Sequence, residues 1–235
     1  MNDIAVLIPY GNETPWRKQA LEHVKSWYTS ELESPRIQVG FSEQPWCKAK
    51  AVATALASCP EPIVIVADAD SITPSLKQAV RAVRQGAAWA VPHLKVYRMG
   101  QVATKHIFEG ANPGSFTGQL RWLDQRPYKG FEGGGITVLR REVYLNCPLD
   151  PGFVGWGQED EAWALALNGL YGPAWRGRAP LYHLWHEKPV RITRYAGSAE
   201  SLARLKLYKE ARSEGSWDEL MTPGRELAST VSAPV

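Results

Sequence analysis

The chain has 235 residues, 44% hydrophobic and 22% charged, with 27 Lys and Arg against 24 Asp and Glu for a net charge of +3. That length can bury one full core, so one α/β domain is expected. No apolar stretch approaches about 18 residues, so no membrane span is expected, and no internal repeat occurs.

From the amino end, Ile4 to Ile8 is a five-residue apolar run closed by Pro9, with no basic region before it. It reads as a first strand and not as a signal peptide. Strands are predicted near Ile4–Pro9, Ile37–Phe41, Ile63–Ala67 and Ala88–Pro92, alternating with helices over Trp16–Tyr28, Lys48–Ala57 and Ser75–Gln85. Alternation of this kind is the βαβ signature of a mostly parallel, Rossmann-like sheet flanked by helices.

Asp68-Ala69-Asp70 follows the run Ile63-Val64-Ile65-Val66-Ala67, which is apolar at every position, as a strand buried on both faces requires. The acids therefore sit at the carboxyl end of a central strand, where open α/β sheets place ligands. Two carboxylates one residue apart offer hard oxygens to Mg²⁺ or Mn²⁺ carrying a diphosphate. The plainer alternative is a polar turn, with Ser71 or Thr73 capping the helix that follows Pro74.

Between Gly110 and Gly135 the chain is rich in Gly, Pro and aromatics, among them Phe116, Trp122, Tyr128 and Phe131. Such a stretch is either an irregular loop with its rings tucked into the core or a lid over a ligand. About ninety residues after the first acids comes Gly155-Trp156-Gly157-Gln158-Glu159-Asp160-Glu161. A helix is predicted from Gln158 to Asn168, stopped by Gly169, with the three acids in its first turn. There they complement the macrodipole, at about 0.3–1 kcal/mol each. One of them is also placed to act as a general base, with Trp156 offering a flat face to a sugar ring and the two glycines admitting a ligand close to the backbone.

Arg176, Arg178, Lys188, Arg191, Arg194, Arg204, Lys206, Lys209 and Arg212 concentrate near the carboxyl end, with Trp175, Trp185, Tyr195 and Tyr208 among them. They read either as the solvated face of a helix over Ser198–Glu214 or as a nucleic-acid groove. Residues 1–217 are taken as the domain, and Asp218 to Val235, rich in Ser, Thr, Pro and Ala, as a poorly ordered tail. Three cysteines, Cys47, Cys59 and Cys147, stand at no metal spacing and suit reduced thiols in a cytoplasm, bacterial or phage-infected.

These motifs, taken in order, resemble the GT-A, family 2-like nucleotide-sugar glycosyltransferases, in particular the catalytic regions of beta-1,4-galactosyltransferases and polypeptide N-acetylgalactosaminyltransferases. Ile8-Pro9-Tyr10-Gly11-Asn12 is similar to the first strand and donor-base loop. Trp46-Cys47-Lys48-Ala49-Lys50-Ala51 is similar to F-N-R-A-K-L, and Ile65 through Pro74 to the D-x-D strand and its exit. Glu132-Gly133-Gly134-Gly135-Ile136 with Arg140-Arg141-Glu142 resembles the glycine-rich stretch, and Gly155 to Asp160 resembles G-W-G-G-E-D, with Gln158 in place of its second glycine.

The resemblance implies a nucleotide-sugar donor, a UDP-sugar foremost, and a Mn²⁺ or Mg²⁺ cofactor. It implies donor contacts from Pro9, Tyr10, Asn12, Trp46, Lys48, Asp68, Ala69, Asp70 and Gly134, and acceptor contacts from Trp156, Gly157 and Glu159. Asp160 becomes the catalytic base of an inverting displacement. Asp70 becomes the direct metal ligand, with Asp68 on the donor ribose or the metal's waters, and His183 or His186 supplies a further ligand. The acceptor stays open between a glycan, a protein and a hydroxymethylated DNA base, and no protein partner is indicated. A catalytically silent sugar- or nucleotide-binding module of the same fold is the alternative. A sugar-nucleotide pyrophosphorylase would begin with a glycine-rich basic loop, which Pro9-Tyr10-Gly11-Asn12-Glu13 is not.

Overall fold

The computed structural model describes residues 3–11, 13–129, 133–187 and 198–232. Asn12, Phe131, Glu132, Lys188, Arg191, Arg194 and Tyr195 therefore lie outside the described residues. The chain forms β1 (Ile4–Pro9), α1 (Pro15–Glu31), β2 (Arg36–Gly40), α2 (Lys48–Leu56), β3 (Ile63–Ala67), β4 (Ser71–Ile72), α3 (Leu76–Arg84), β5 (Trp89–Val91), β6 (Lys95–Arg98) and α4 (Gln101–Phe108). Two 3₁₀ turns at Pro113–Phe116 and Leu120–Trp122 lead to β7 (Tyr128–Lys129), β8 (Ile136–Arg140), α5 (Arg141–Asn146), α6 (Glu159–Tyr171), β9 (Trp175–Arg176), β10 (Pro180–His183), α7 (Ala199–Glu214) and α8 (Asp218–Ser232).

The main sheet has the order β2-β1-β3-β8-β5-β9. Its β1/β2, β1/β3 and β5/β9 pairings are parallel, while β8 is antiparallel to both neighbours. Period-2 alternation divides the core between its faces. Ile4, Val6, Ile8, Ile63 and Ile65 pack toward α1 and α3; Ala5, Leu7, Val64 and Val66 pack toward α2, α5 and α6. This is the expected α/β fold, an open sheet flanked by helices.

A second sheet, β4-β10-β6-β7, was not foreseen. Ser71 and Ile72 form its edge strand instead of capping α3, whose amino end is at Ser75, and the Thr73 hydroxyl donates to the Pro180 carbonyl at 2.9 Å. The aromatic stretch after α4 is two short turns around a buried Phe116, whose ring meets His106 and Trp122.

Two boundaries differ from expectation for packing reasons. Helix α6 runs through Gly169 and stops at Gly172, because Gly169 lies against the Trp217 indole where a Cβ would clash. Asp218–Ser232 is a helix and not a poorly ordered tail: Trp217, Met221 and Ala228 bury a stripe against the rest of the chain. Among the described residues no helix is long and apolar enough to cross a membrane.

Candidate active site

The carboxyl ends of β1 and β3, the amino ends of α2 and α6, and the exit of β10 meet at one place. Strand β3 carries Asp68 there, and its backbone N–H donates to the Gly135 carbonyl at 2.7 Å. Two residues on, the Asp70 carbonyl accepts from the Leu184 N–H at 2.7 Å, which clamps the end of β10 beside it. That clamp brings in His183 and His186. The His183 Nε2 lies 3.6 Å from Asp70 Oδ1, and the His186 Nε2 lies 3.3 Å from Asp70 Oδ2.

Asp70, His183 and His186 thus form a three-residue group whose ligand atoms all lie within 4.8 Å of one another. Both imidazoles present Nε2, because each Nδ1 faces a backbone carbonyl, Leu184 at 3.0 Å and Glu187 at 2.8 Å, to which it donates in the matching tautomer. Burial pushes the Asp70 carboxyl up, but His183, His186 and Arg17 outweigh it and hold it below its ordinary value. Burial, against the pull of Asp70, brings the His183 imidazole below its ordinary value, which favours the neutral ring that a metal ligand needs. One carboxylate and two imidazoles fit a divalent ion, and nitrogen ligands suit a first-row transition ion such as Mn²⁺ better than the oxygen-seeking Mg²⁺.

Asp68 stands outside this group. Its Oδ1 accepts from the buried Lys48 ammonium at 2.8 Å, and the same ammonium reaches Asp160 Oδ1 at 2.8 Å. Burial disfavours the charge on Lys48, yet Asp160 and Asp68 together hold its pKa well above the ordinary value. For Asp160, burial is the largest influence, and Lys48 only partly offsets it; with Glu159 and Asp68 adding to the rise, the carboxyl is pushed up to about 7.

The three acids that open α6 therefore separate by role. Glu161 pairs with Lys209 on α7 at 3.0 Å, and Glu159 accepts from the Gly157 N–H at 2.9 Å, holding its own turn. Only Asp160 turns toward the first acid cluster. Gly133 lets the glycine-rich stretch close over it, since a Cβ there would come 2.7 Å from the Asp160 carbonyl.

The aromatics stack on one another. Trp46 and Trp156 lie 5.8 Å apart and 22° from parallel, and the Arg17 guanidinium sits 5.2 Å over the Trp156 ring. Trp46 is only 5% exposed, packed over Gly11, and its carbonyl accepts from the Gly155 N–H at 2.7 Å. The open ring at the carboxyl end of β2 is Phe41, 58% exposed and edge-on to Tyr10 at 5.9 Å. Pro9 and Tyr10 end β1 as expected, and Ala69 lies buried between the two aspartates. Gly134 accepts from the Ile136 N–H at 3.0 Å, next to the Gly135 carbonyl that holds Asp68.

Sequence reasoning missed Arg17. It shares the buried stripe of α1 with Ala20, Leu21, Val24 and Tyr28, and a charge on an apolar stripe was the available signal. Its Nη1 lies 3.4 Å from His186 Nδ1. Sequence reasoning also did not see that Gln158 adopts φ 69°, the left-handed region that favours glycine, between Gly157 at φ 110° and the helix. Its Oε1 is buried with no hydrogen-bond partner among the described residues. Gln158→Gly should therefore raise stability by about 1 kcal/mol in thermal or denaturant unfolding. A loss of stability would mean that the glutamine side chain contributes more than its backbone costs.

No protein-family sequence model matches the chain, and no curated protein matches it. Among solved structures it is similar to a Drosophila beta-1,4-galactosyltransferase 7 variant in complex with manganese, UDP-Gal and xylobiose. That match has 10% identity and a TM-score of 0.45, over 85% of this chain and 71% of that one. It is also similar to Mycobacterium tuberculosis glucosyl-3-phosphoglycerate synthase, with 15% identity and a TM-score of 0.46, over 93% of this chain and 81% of that one. The same enzyme in complex with Mn²⁺, UDP-glucose and phosphoglyceric acid matches at 15% identity and a TM-score of 0.46, over 93% and 80% of the two chains.

Proposed function

We propose that this chain is a GT-A glycosyltransferase, metal-dependent and inverting, which moves a sugar from a nucleotide donor, a UDP-sugar foremost, to an acceptor hydroxyl. The observation that carries this reading is the joining of Asp68 and Asp160 through one buried ammonium, immediately beside the Asp70, His183 and His186 group. A base, a cation and a metal-ligand set at neighbouring positions are the parts that displacement of a diphosphate requires.

Asp160 accepts the proton as the acceptor oxygen bonds to the anomeric carbon, and the bond from that carbon to the diphosphate oxygen breaks. A divalent ion held by Asp70, His183 and His186 would supply charge stabilisation to the leaving nucleoside diphosphate. Lys48 keeps the base in place and adds positive charge on the same side. Trp156 and Glu159, which shape the turn before α6, line the acceptor side. The three cysteines are buried and unpaired, which supports a reducing, cytoplasmic setting.

Calorimetric titration with UDP tests the donor half of the reading. Binding in Mn²⁺ that is abolished by chelator is expected; binding with no turnover on any nucleotide sugar would instead identify the catalytically silent module. Because a base must be ionised and Asp160 is pushed up to about 7, kcat/KM should climb about tenfold per pH unit below that value and level above it. A profile flat between pH 5.5 and 7.5, each value approximate, would assign the proton to another group.

A further inference from the structure

The net charge of +3 is not spread over the molecule. Residues 95–129 hold six of the 27 Lys and Arg and two of the 24 Asp and Glu, so this stretch is +4 and the remaining 200 residues are −1. Three of the basic residues near the carboxyl end, by contrast, are matched by acids. Arg204 is bound to Asp150, Lys206 lies 3.5 Å from Glu210, and Lys209 pairs with Glu161.

Within the basic stretch, β6 and β7 pair antiparallel with Lys95 directly opposite Lys129, both exposed. Like charges facing across a strand pair destabilise it. Neither lysine reaches a carboxylate among the described residues. Arg121 and Arg126 are exposed on the connection that leads into β7. Aromatic faces lie between the cations: the Arg98 guanidinium is 5.8 Å from the Tyr128 ring, and the Arg121 guanidinium is 4.7 Å from the Trp122 ring.

This ribbon runs into the active site. Strand β6 is parallel to β10 with Arg98 in register with His183, and the Met99 N–H donates to the His183 carbonyl at 2.8 Å. Arg98 is close enough to His183 to disfavour its protonation.

We infer that the β6–β7 ribbon and the turn before it bind a nucleic-acid strand, with Lys95, Lys129, Arg126 and Arg121 on its phosphates and Tyr128 and Trp122 beside its bases. Cations strung along an edge ribbon and interleaved with rings suit a charged backbone with unpaired bases. A membrane-surface site would instead concentrate its cations along one amphipathic helix, and here five of the six lie on strands or on the connection into β7, with only Lys105 on an α-helix. The inference deepens the proposed function, because it makes the acceptor a hydroxyl carried on nucleic acid. The binding surface itself does not depend on transfer.

The test is fluorescence anisotropy of the full chain with a labelled single-stranded oligonucleotide, its duplex, and anionic phospholipid vesicles, over a series of salt concentrations. Oligonucleotide binding that weakens steeply with salt is expected. Lys95→Gln with Lys129→Gln should weaken it about tenfold and make the slope of log K against log salt shallower by about 1.5. Arg212→Gln, on the exposed face of α7, should leave binding unchanged.

The double variant removes a like-charge pair, so it should unfold no earlier than the parent, which separates lost binding from lost structure. Its metal-dependent donor hydrolysis should be that of the parent, so failure of nucleic-acid binding and failure of the transferase reading are distinguishable. No retention of either oligonucleotide at about 50 mM salt, equal retention by parent and double variant, or retention on vesicles alone would each overturn the inference.

Discussion

Asp160→Asn should lower kcat by about 10²–10⁴ while leaving the Kd for nucleoside diphosphate within about twofold. The amide keeps the shape of the carboxylate and can still accept from Lys48 through its oxygen, so the cation between the two acid clusters remains tethered. What is lost is the capacity to take the acceptor proton, which matters only in the transition state. Asp160 does not belong to the Asp70, His183 and His186 group, so metal loading should be unaffected. An equal loss of donor affinity and turnover would mean that Asp160 serves binding and that the base lies elsewhere.

Removing Asp70 should act on both quantities. Asp70→Ala leaves His183 and His186 without the carboxylate they flank, and donor affinity in Mn²⁺ should fall by at least about 100-fold, to that of the parent in chelator. Outer-shell partners alone are commonly worth 10–100-fold, and Asp70 is in the ligand set itself. Asp70→Asn keeps the side-chain volume at this buried position and guards against a folding defect. It should bind Mn²⁺ weakly and show the same loss of donor affinity. His183→Ala should follow in direction, since its Nε2 is the tautomer-fixed nitrogen. Undiminished Mn²⁺-dependent donor binding in Asp70→Asn and His183→Ala would place the ion at another set of ligands.

Both acid clusters were legible in the sequence because each follows a strong local signal, an all-apolar strand for Asp68 and Asp70 and a helix start for Asp160. Their union was not legible. Lys48 reaches acids 20 and 112 residues away, and only the sheet topology makes those separations short. The role of Glu161 could be divided from that of Asp160 only once α7 supplied Lys209 as its partner.

The second sheet escaped notice because β4 and β7 are two residues long, too short to carry a period, and are held by neighbours distant in sequence. Composition misjudged α8. Ser, Thr and Pro223 suggested disorder, while the stripe of Trp217, Met221 and Ala228 finds its core only in the folded chain. Gly169 fits the usual rule for a helix end, and its actual work is to admit an indole.

The central claim, a metal-loaded donor site joined to a base, is tested most directly by nucleoside diphosphate release from UDP-, GDP- and dTDP-sugars. The protein is compared in Mn²⁺ and in chelator, and with Asp70→Ala. Release from one donor, dependent on Mn²⁺ and lost in the variant, is the predicted result. Release that survives both chelator and the loss of Asp70, or no release from any donor despite bound Mn²⁺, would contradict it.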